Sequence, residues 1–339
     1  MKVLRFLLFP FAVLYDMVTS IRNFLFYSGF LKSALFKTPT IAVGNLSVGG
    51  TGKTPQIEYL IRLLNDTYRV AILSRGYKRK TTGFVLVNSG HSFEDAGDEP
   101  MQYFKKFKEV SVAVDANRVN GIKQLLVQKS PEVVLLDDAF QHRKVKASFY
   151  LLLTKYDELY TDDFLLPTGN LRESKRGAKR ADVILVTKCP LNLSEIAQQE
   201  IVLKINPRPY QQVFFTCISY VDTLKGSMQV TVDELVDYAV VLVTGIANPM
   251  PLLDFLGDKN VHFEHLFFPD HHHFSKKDID KIKSKYLQID SVKKIILTTE
   301  KDFVRLSEKI KNLSYLEIET VFLSDQKRLF DKEILGLLK

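Results

Sequence analysis

The sequence predicts an α/β fold: a doubly wound, mostly parallel sheet followed by a second, smaller α/β lobe. Short apolar runs alternate with helical patterns along most of the chain, and a glycine-rich loop joins one such run to a helix. Strands buried on both faces read as continuous apolar runs, and helices between them are typical of a parallel sheet. A hydrophobic share of 46% in 339 residues is ample for a core and excludes a disordered chain.

The cysteine content and the net charge limit the cellular compartment and the kinds of binding partner that fit this chain. The chain contains two cysteines, Cys189 and Cys217, far apart in sequence, which fits a reducing compartment and excludes a disulfide framework or a cysteine-based zinc site. The net charge of +8 implies an anionic partner. Nucleic acid, anionic lipid and a phosphorylated substrate all satisfy that charge.

The N-terminus carries ten uninterrupted apolar residues, 6-FLLFPFAVLY-15. This run is too short for a confident membrane span, which needs about 20 residues. No small-residue cleavage site marks it as a secretory signal, and a buried core helix is the plain alternative. We favour a membrane-associated amphipathic segment over residues 1–35. The basic residues expected at anionic lipid headgroups are Lys2, Arg5, Arg22 and Lys32.

The apolar runs define the order of the predicted strands. Those of the first unit are 40-TIAVGNL-46, 69-RVAILSRG-76, 110-VSVAVD-115, 132-EVVLLDD-138, 148-SFYLLLT-154 and 182-DVILVTK-188. Helical patterns cover 56–64 and 118–128. The pattern weakens over 206–226 and resumes with 239-AVVLVTGIANP-249, 293-KKIILTTEKD-302 and 320-TVFLSD-325. We therefore predict a core over 36–215 and a smaller lobe over 216–339.

The stretch 43-VGNLSVGGTGKTP-55 has the setting of a phosphate-binding loop between a strand and a helix, which makes the fold P-loop NTPase-like. Ser47 stands where the pattern G-x-x-x-x-G-K-[ST] has its first glycine, and Gly49 and Gly50 are expected to supply the unusual dihedrals instead. Lys53 is expected to reach the β- and γ-phosphates, and the Thr54 hydroxyl to ligate Mg²⁺. The predicted nucleotide-binding residues are Ser47, Val48, Gly49, Gly50, Thr51, Gly52, Lys53 and Thr54.

An acidic pair, Asp137 and Asp138, follows the apolar run at 133–136. A carboxylate at the end of a strand beside a P-loop holds Mg²⁺ directly or through water. Paired acids after a strand also act as loop caps, but the neighbouring loop favours the metal interpretation. Either aspartate fits this role.

Three further stretches are candidates for the acceptor side of a phosphotransfer. Asp98 in 97-GDEP-100 fits a general base or the N-cap of a helix. The segment 269-PDHHHFS-275 fits a proton acceptor oriented by an acid, or an exposed polar loop. Five basic residues between 172 and 180 fit a solvated helix face or a binding site for a substrate phosphate.

Together, the motifs resemble the tetraacyldisaccharide 4′-kinase family, the lipid A 4′-kinases of Gram-negative envelope synthesis. The motifs that carry the resemblance occur in order: GNLSVGGTGKTP, SRGY, GDEP, DDAFQH, PTGNLRE, TGIANP, PDHHHF and TEKD. The resemblance implies an ATP- and Mg²⁺-dependent kinase that phosphorylates the 4′-hydroxyl of a lipid A disaccharide 1-phosphate precursor. It also implies an N-terminal helix at an anionic membrane surface, on the cytoplasmic face of the inner membrane, as a peripheral or monotopic protein.

The resemblance also assigns roles by position. It implies that the loop from Ser47 to Thr54 binds ATP and that the acidic pair lies near Mg²⁺. It implies an Asp98–His271 dyad that activates the acceptor hydroxyl, although His273 stands where a varied residue is usual. The implied substrate-binding residues are Gln141, His142, Arg172 and Glu173.

The sequence supports two other classes of function less well. A partitioning or metallochaperone-type ATPase or GTPase shares GG-x-GKT, but such ATPases place a lysine where this chain has Val48. A nucleic-acid-binding P-loop protein would explain the positive charge, yet the sequence contains no recognisable nucleic-acid module. We therefore predict no nucleic-acid partner.

Overall fold

A computed structural model describes residues 5–338, so Lys2, predicted to contact lipid, lies outside the described residues. Two sheets organise the chain. The strands are β1 Thr40–Asn45, β2 Val70–Ser74, β3 Val85–Leu86, β4 Ser111–Val114, β5 Val133–Leu136, β6 Phe149–Lys155, β7 Val183–Thr187, β8 Gln212–Tyr220, β9 Lys225–Gly226, β10 Ala239–Thr244, β11 Phe263–Phe267, β12 Lys294–Thr299, β13 Leu313–Leu316 and β14 Ile318–Phe322. All of the predicted apolar runs contain a strand.

Helices cover both faces of the sheets, as the alternating pattern predicts. They are α1 Phe9–Tyr27, α2 Lys53–Leu64, α3 Phe93–Ala96, α4 Asp98–Lys106, α5 Arg118–Lys129, α6 Glu195–Ile205, α7 Met250–Asp258, α8 Lys276–Gln288, α9 Glu300–Leu306 and α10 Gln326–Gly336. Three 3₁₀ helices span Tyr160–Asp162, Lys175–Arg180 and Asp233–Asp237.

The larger sheet has nine strands in the order β14-β8-β7-β6-β1-β5-β2-β4-β3. The strands from β8 to β4 run parallel, and β14 and β3 pair antiparallel at the two edges. Strand β1 lies between β5 and β6, with Ile41 opposite Leu135 and Phe149. Because β1 and β5 are parallel neighbours, the glycine loop after β1 and the acidic pair after β5 lie at the same edge of the sheet.

The smaller sheet has five strands in the order β11-β10-β12-β13-β9, all parallel except β9. Its central strands β10 and β12 are buried, as expected for strands covered on both faces. The PDHHHF motif follows β11 and the TEKD motif follows β12, and His271 of the first motif reaches Asp98 on the larger sheet's side.

The division of the chain differs from the predicted boundary at residue 215. Strand β8 continues in the larger sheet to Tyr220, and β14 returns from the smaller sheet to pair with it. An aromatic cluster explains the return: the ring of Phe322 lies 5.1 Å from that of Tyr59 and 4.7 Å from that of Phe330. Residues 318–336 therefore belong to the larger unit, whereas the sequence predicts them in the 216–339 lobe.

Helix α1 presents its apolar side chains outward. Phe11, Leu14, Val18 and Ile21 are more than half exposed. On the opposite face, Tyr15 is half-buried and donates a hydrogen bond to a backbone carbonyl of the core. This is the reverse of a helix that packs an apolar stripe on a core. Within residues 5–338, none of the helices combines the length and the hydropathy that crossing a bilayer requires.

Candidate active site

The glycine loop wraps the start of α2, which begins at Lys53 after Gly52. Gly49 and Gly52 adopt φ angles of +104° and +82°, a region that favours glycine. Gly50 does not adopt such an angle, so the prediction that Gly49 and Gly50 supply the unusual dihedrals is wrong for Gly50.

Ser47 occupies extended backbone that pairs with another segment. It forms an antiparallel bridge with Leu171, and the N–H of Val48 donates to the carbonyl of Asn170 at 2.8 Å. On the other side, the N–H of Arg172 donates to the carbonyl of Leu46 at 2.7 Å. Glycine is unnecessary at position 47 because this pairing, and not a tight turn, sets the backbone.

Lys53 points along the loop toward the acidic pair. Its Nζ lies 3.0 Å from Asn45 Oδ1 and 3.3 Å from Asp138 Oδ1. Arg172 donates to Asp138 as well, at 3.0 Å. Burial raises the pKa of Asp138, but Lys53 and Arg172 outweigh burial and lower it to about 2. Asp138 is therefore a carboxylate that holds two cations at the edge of the loop.

Asp137 has a different environment from its neighbour. It is buried at the end of β5 and accepts a hydrogen bond from Ser74 Oγ at 3.0 Å. Burial, together with repulsion from Asp138 and Glu99, raises the pKa of Asp137 to about 6. Ionisation of Asp137 is therefore costly in the nucleotide-free site.

This donor set fits Mg²⁺, which prefers oxygen ligands and relieves a surplus of negative charge. Within the described part of the chain, no three acidic, histidine or cysteine side chains are grouped to hold a metal by themselves. In P-loop enzymes one carboxylate, one hydroxyl and the nucleotide phosphates complete the ligand set. The residues present are consistent with that arrangement.

Asp98 is the first residue of α4, and Gly97 precedes it as the N-cap. The capping interpretation of Asp98 is therefore wrong. Its Oδ2 lies 2.9 Å from His271 Nδ1 and accepts a hydrogen bond from Arg305. Burial opposes ionisation of Asp98, but His271 and Arg305 outweigh it and lower its pKa to about 2. The side chain is a largely covered carboxylate at the junction of the two sheets.

The three adjacent histidines contact three different acids. His271 reaches Asp98, whereas His272 lies 3.0 Å from Asp278 and His273 lies 3.0 Å from Glu94. His271 has a φ of +55°, and its N–H donates to the carbonyl of Gly245. The geometry therefore brings His271, and neither neighbour, to Asp98.

A polar cavity of about 250 Å³ lies between α1 and the larger sheet, directly beside Asp138. Three arginines, one each from α1, the loop after β2 and the PTGNLRE segment, meet there with the predicted substrate residues. The lining is Tyr15, Thr19, Arg22, Asn23, Arg75, Asp138, Gln141, His142, Arg172 and Glu173. Burial, with Arg118 and Arg75 nearby, lowers the pKa of His142 to about 4, so this imidazole is neutral at pH 7.

Glu173 lines the cavity but is already engaged. Its Oε1 accepts from Arg180 at 2.6 Å and from Gln141 at 3.0 Å, and its Oε2 accepts from Asn23 at 3.1 Å. These contacts tie α1, the DDAFQH segment and the basic run together. The basic run is thus not simply a solvated helix face, since Arg172 and Arg180 both bind buried or half-buried acids.

Several side chains at the site were not predicted. Arg305 and Lys301 contact the Asp98–His271 pair, while Arg75 and the polar face of α1 line the cavity. Arg75 lies in SRGY and Lys301 in TEKD, so the motifs that contain them were visible, but no local pattern indicated their contacts. For α1, the signal is the helical spacing of Tyr15, Thr19, Arg22 and Asn23 within an apolar segment.

Comparisons with known proteins agree over the whole chain. The sequence profile described as tetraacyldisaccharide-1-P 4′-kinase matches residues 4–338. A tetraacyldisaccharide 4′-kinase of Flavobacterium johnsoniae is 56% identical over 343 residues, covering 100% of this chain and 98% of that protein. Its counterpart in Bacteroides thetaiotaomicron is 46% identical, covering 98% and 93%. The crystal structure of LpxK from Aquifex aeolicus in complex with ATP has 33% identity and a TM-score of 0.80, covering 99% of this chain and 100% of that one.

This chain belongs to the tetraacyldisaccharide-1-P 4′-kinase family. Membership confirms the predicted α/β P-loop fold and the predicted enzyme class, a phosphotransferase. It also removes the partitioning-type ATPase as an interpretation of the loop, because the match extends through the smaller sheet of the kinase to residue 338.

Proposed function

We propose that this kinase transfers the γ-phosphate of ATP to the 4′-hydroxyl of a lipid A disaccharide 1-phosphate precursor at an anionic membrane surface. The observation that carries the proposal is the position of the arginine-lined cavity. It contacts Asp138 at the phosphate loop on one side and α1, with its outward apolar face, on the other. An acceptor that is both sugar phosphate and lipid fits such a site.

The nucleotide side is formed by the loop from Ser47 to Thr54. Backbone N–H groups at the start of α2 bind phosphate oxygens, and the helix dipole favours the negative charge. The Lys53 ammonium lies 3.3 Å from Asp138. When it turns to a nucleotide phosphate, it exchanges the carboxylate for another anion. Mg²⁺, when bound with ATP, would supply positive charge that offsets the negative charge of the transferring phosphate. Thr54 and the acidic pair are the residues that would hold it.

Asp137 is the better of the two acids for the metal. Lys53 and Arg172 already neutralise Asp138. Among the described contacts the Asp137 carboxylate forms no ion pair, although Arg118 donates to the Asp137 backbone carbonyl at 2.9 Å, and burial with repulsion from Asp138 and Glu99 makes its ionisation costly. A divalent cation relieves that cost, which supports Asp137 as a metal ligand and Asp138 as the anchor for Lys53 and Arg172.

The acceptor side joins the cavity to the Asp98–His271 pair. The loop after β2 passes both, since Arg75 lines the cavity and the ring of Tyr77 lies edge-on to that of His271, 5.8 Å away. Arg75, Arg172 and Arg22 suit the anionic groups of a phosphorylated sugar. The pair is oriented by fixed hydrogen bonds and is placed to orient or deprotonate the acceptor hydroxyl.

The membrane surface enters through α1. Its exposed face carries Phe11, Leu14, Val18, Ile21 and Phe24, which would remain in water unless lipid covers them. We place the kinase at the cytoplasmic face of the inner membrane, as a peripheral or monotopic protein, because ATP is available there. Anionic lipid, and not nucleic acid, is then the partner that the net charge of +8 attracts.

The test is a transfer assay with γ-labelled ATP and a lipid A disaccharide 1-phosphate precursor in mixed micelles. We expect a labelled lipid phosphorylated at the 4′ position, and no labelled lipid with the Lys53→Ala protein. Release of labelled phosphate at a rate independent of the lipid, with no labelled lipid, would contradict the proposal and favour an ATPase.

A further inference from the structure

The first turns of α9 place charged side chains of the TEKD segment against the Asp98–His271 pair. Lys301 Nζ lies 3.1 Å from His271 Nε2 and 3.1 Å from Glu99 Oε1. Arg305, which is 3% exposed, donates to Asp98 Oδ2 and, at 3.1 Å, to Asp302 Oδ1. Helix α9 thus connects the two sheets through Arg305 and Lys301. The His271 imidazole has a charged partner at each ring nitrogen, Asp98 at Nδ1 and Lys301 at Nε2.

The donors and acceptors at this junction determine which nitrogen of His271 carries the proton. A lysine ammonium only donates, so the contact with Lys301 requires Nε2 to accept. Asp98 is ionised and only accepts, so the 2.9 Å contact requires Nδ1–H to donate. Arg305 lies 3.3 Å from the same Nδ1, and it cannot donate there while Nδ1 carries hydrogen. Arg305 and Nδ1–H therefore share Asp98 Oδ2 as their acceptor.

We propose that Lys301 is a positioning residue that keeps His271 Nε2 unprotonated and the ring in its neutral Nδ1–H form, while Arg305 fixes the Asp98 carboxylate that receives this hydrogen. The result is a chain of donors in one direction, from Lys301 to His271 to Asp98, in which each bond strengthens the next. The inference rests on the proposed function only in assuming that this pair activates the acceptor hydroxyl. The tautomer itself follows from the contacts.

A structural role for Lys301 is the competing explanation, because the same ammonium also binds Glu99. The two roles differ in what a substitution changes. If Lys301 only links Glu99 to α9, its loss leaves the ring nitrogens of His271 as they were. If it keeps the ring neutral, its loss frees Nε2 to take a proton as well, since Asp98 still holds Nδ1–H and Asp270 Oδ2 lies 3.9 Å from Nε2.

The experiment is long-range ¹H–¹⁵N NMR of the histidine rings in the full-length ¹⁵N-labelled protein, with the His271 signals assigned from a His271→Gln spectrum. We expect the neutral Nδ1–H tautomer in the natural protein, a gain of the doubly protonated ring in Lys301→Met, and retention of the neutral Nδ1–H ring in Lys301→Arg, which keeps a donor. Lys309→Met is the matched control, since Lys309 anchors the same loop through the carbonyl of Phe274 and touches no imidazole.

Kinetics give the second readout. We expect Lys301→Met to lower kcat about tenfold, a part of the roughly 100- to 10,000-fold that proton transfer by a positioned side chain contributes. The KM for ATP should not change, and Lys301→Arg should recover most of the rate. An amide fingerprint spectrum verifies folding, and Lys301→Leu serves as a second variant without a donor.

Either of two results would overturn the inference: an Nε2–H tautomer in the natural protein, or an unchanged neutral Nδ1–H ring in both Lys301→Met and Lys301→Leu. The NMR measurement needs neither ATP nor lipid. A kinase assay that fails on a protein with the expected tautomer would therefore reject the proposed function alone.

Discussion

At residue 47 a serine replaces the first glycine of the phosphate loop without altering the turn. The turn is made by Gly49 and Gly52, whose φ angles lie in the region that glycine favours. Ser47 pairs with Leu171, and this pairing brings Arg172 to the mouth of the loop. Position 47, where the motif usually has glycine, thus connects the nucleotide loop to the PTGNLRE segment by backbone pairing.

Lys53 and Asp98 serve different parts of the transfer, and their losses should differ. We expect Lys53→Ala to lower kcat on the order of a thousandfold, because it removes charge that stabilises the transferring phosphoryl group. We expect Asp98→Ala to lower kcat on the order of a hundredfold, because a loose transition state needs little proton removal early. The measurement is kcat at saturating ATP and lipid.

The Asp98→Ala variant needs a control, because it also leaves the buried Arg305 without its acceptor. Asp98→Asn keeps an acceptor for Arg305, so any difference between the two Asp98 variants reports lost structure. Equal losses in Lys53→Ala and Asp98→Asn would contradict the expected ranking.

Asp137 should make the nucleotide-free protein less stable at neutral pH. Its pKa rises from 3.8 to about 6, so its contribution to stability is fully present below 3.8 and is lost as the pH rises through 6. A difference of about two units corresponds to roughly 3 kcal/mol. Asp137→Asn should therefore raise the Tm at pH 7.5 without Mg²⁺ or ATP, while abolishing transfer.

The matched control is the neighbouring acid. The pKa of Asp138 is lowered, so Asp138→Asn removes favourable pairing with Lys53 and Arg172 and should lower the Tm. Differential scanning calorimetry measures both. A drop in Tm for Asp137→Asn would show that the ionised Asp137 side chain does not destabilise the nucleotide-free protein.

Among the elements, α1 has two faces with separate tasks. Its polar face holds the cavity together: Tyr15 donates to the carbonyl of Arg172 at 2.8 Å, and Asn23 donates to Glu173. Its apolar face contacts little of the protein. Deleting residues 1–30 would remove both faces at once, so loss of vesicle binding after that deletion would not separate membrane contact from damage to the site.

Substitutions on the outer face make the cleaner test of membrane contact. We expect the double variant Leu14→Glu/Ile21→Glu to lose sedimentation with vesicles of 30% anionic lipid, chosen at about the level at which basic surfaces bind. The charges oppose burial in lipid, while Tyr15 and Asn23 stay in place. Activity on a short-chain, water-soluble acceptor should be retained.

Val127→Glu/Leu203→Glu is the matched control, since these exposed apolar residues lie on α5 and α6, away from α1. It should sediment like the natural protein. If Leu14→Glu/Ile21→Glu also sediments unchanged, α1 is not the membrane contact.

Across the whole molecule, a buried ion cluster joins the two sheets. Lys106 on α4 lies 2.7 Å from Glu58 on α2, 2.8 Å from Glu300 on α9 and 3.4 Å from Glu317 after β13. Lys106 contacts all three carboxylates, and Arg62 adds a contact to Glu58 at 3.5 Å. Burial with repulsion from Glu58 raises the pKa of Glu300 well above its usual range. The cluster lies behind the junction where Asp98 meets His271.

This cluster should make stability depend on pH. Glu300 stays protonated in the folded protein at pH values where the unfolded chain, with a pKa of 4.5, has lost the proton. Stability from this group is fully present below 4.5 and declines as the pH rises toward the folded-state pKa. Urea titrations between pH 5 and 8 should show this decline, and Glu300→Gln should flatten it.

Glu308→Gln is the control, because Glu308 is an exposed acid on the same side of the smaller sheet. It should leave the pH dependence unchanged. A Glu300→Gln protein with the same slope as the natural one would show that Glu300 titrates normally.

Much of the fold could be predicted because strands and helices leave local patterns. The buried parallel strands appeared as apolar runs, and the loop after β1 appeared as GGTGKT. The sequence did not predict the short or half-exposed strands β3, β9, β11 and β13, since they bury too few residues to form such a run. The return of β14 to the larger sheet escaped for another reason: its aromatic partner Tyr59 is 263 residues away from Phe322 in sequence.

The sequence by itself determined the α/β class, the phosphate loop, the acidic pair and the family resemblance, because each depends on residues close together in the chain. Only the tertiary structure decided which histidine meets Asp98, that Arg305 and Lys301 flank that pair, and that α1 turns its polar face to the cavity. These are contacts over long sequence separations. Local patterns carry no information about them, since they depend on how two sheets and a helix pack together.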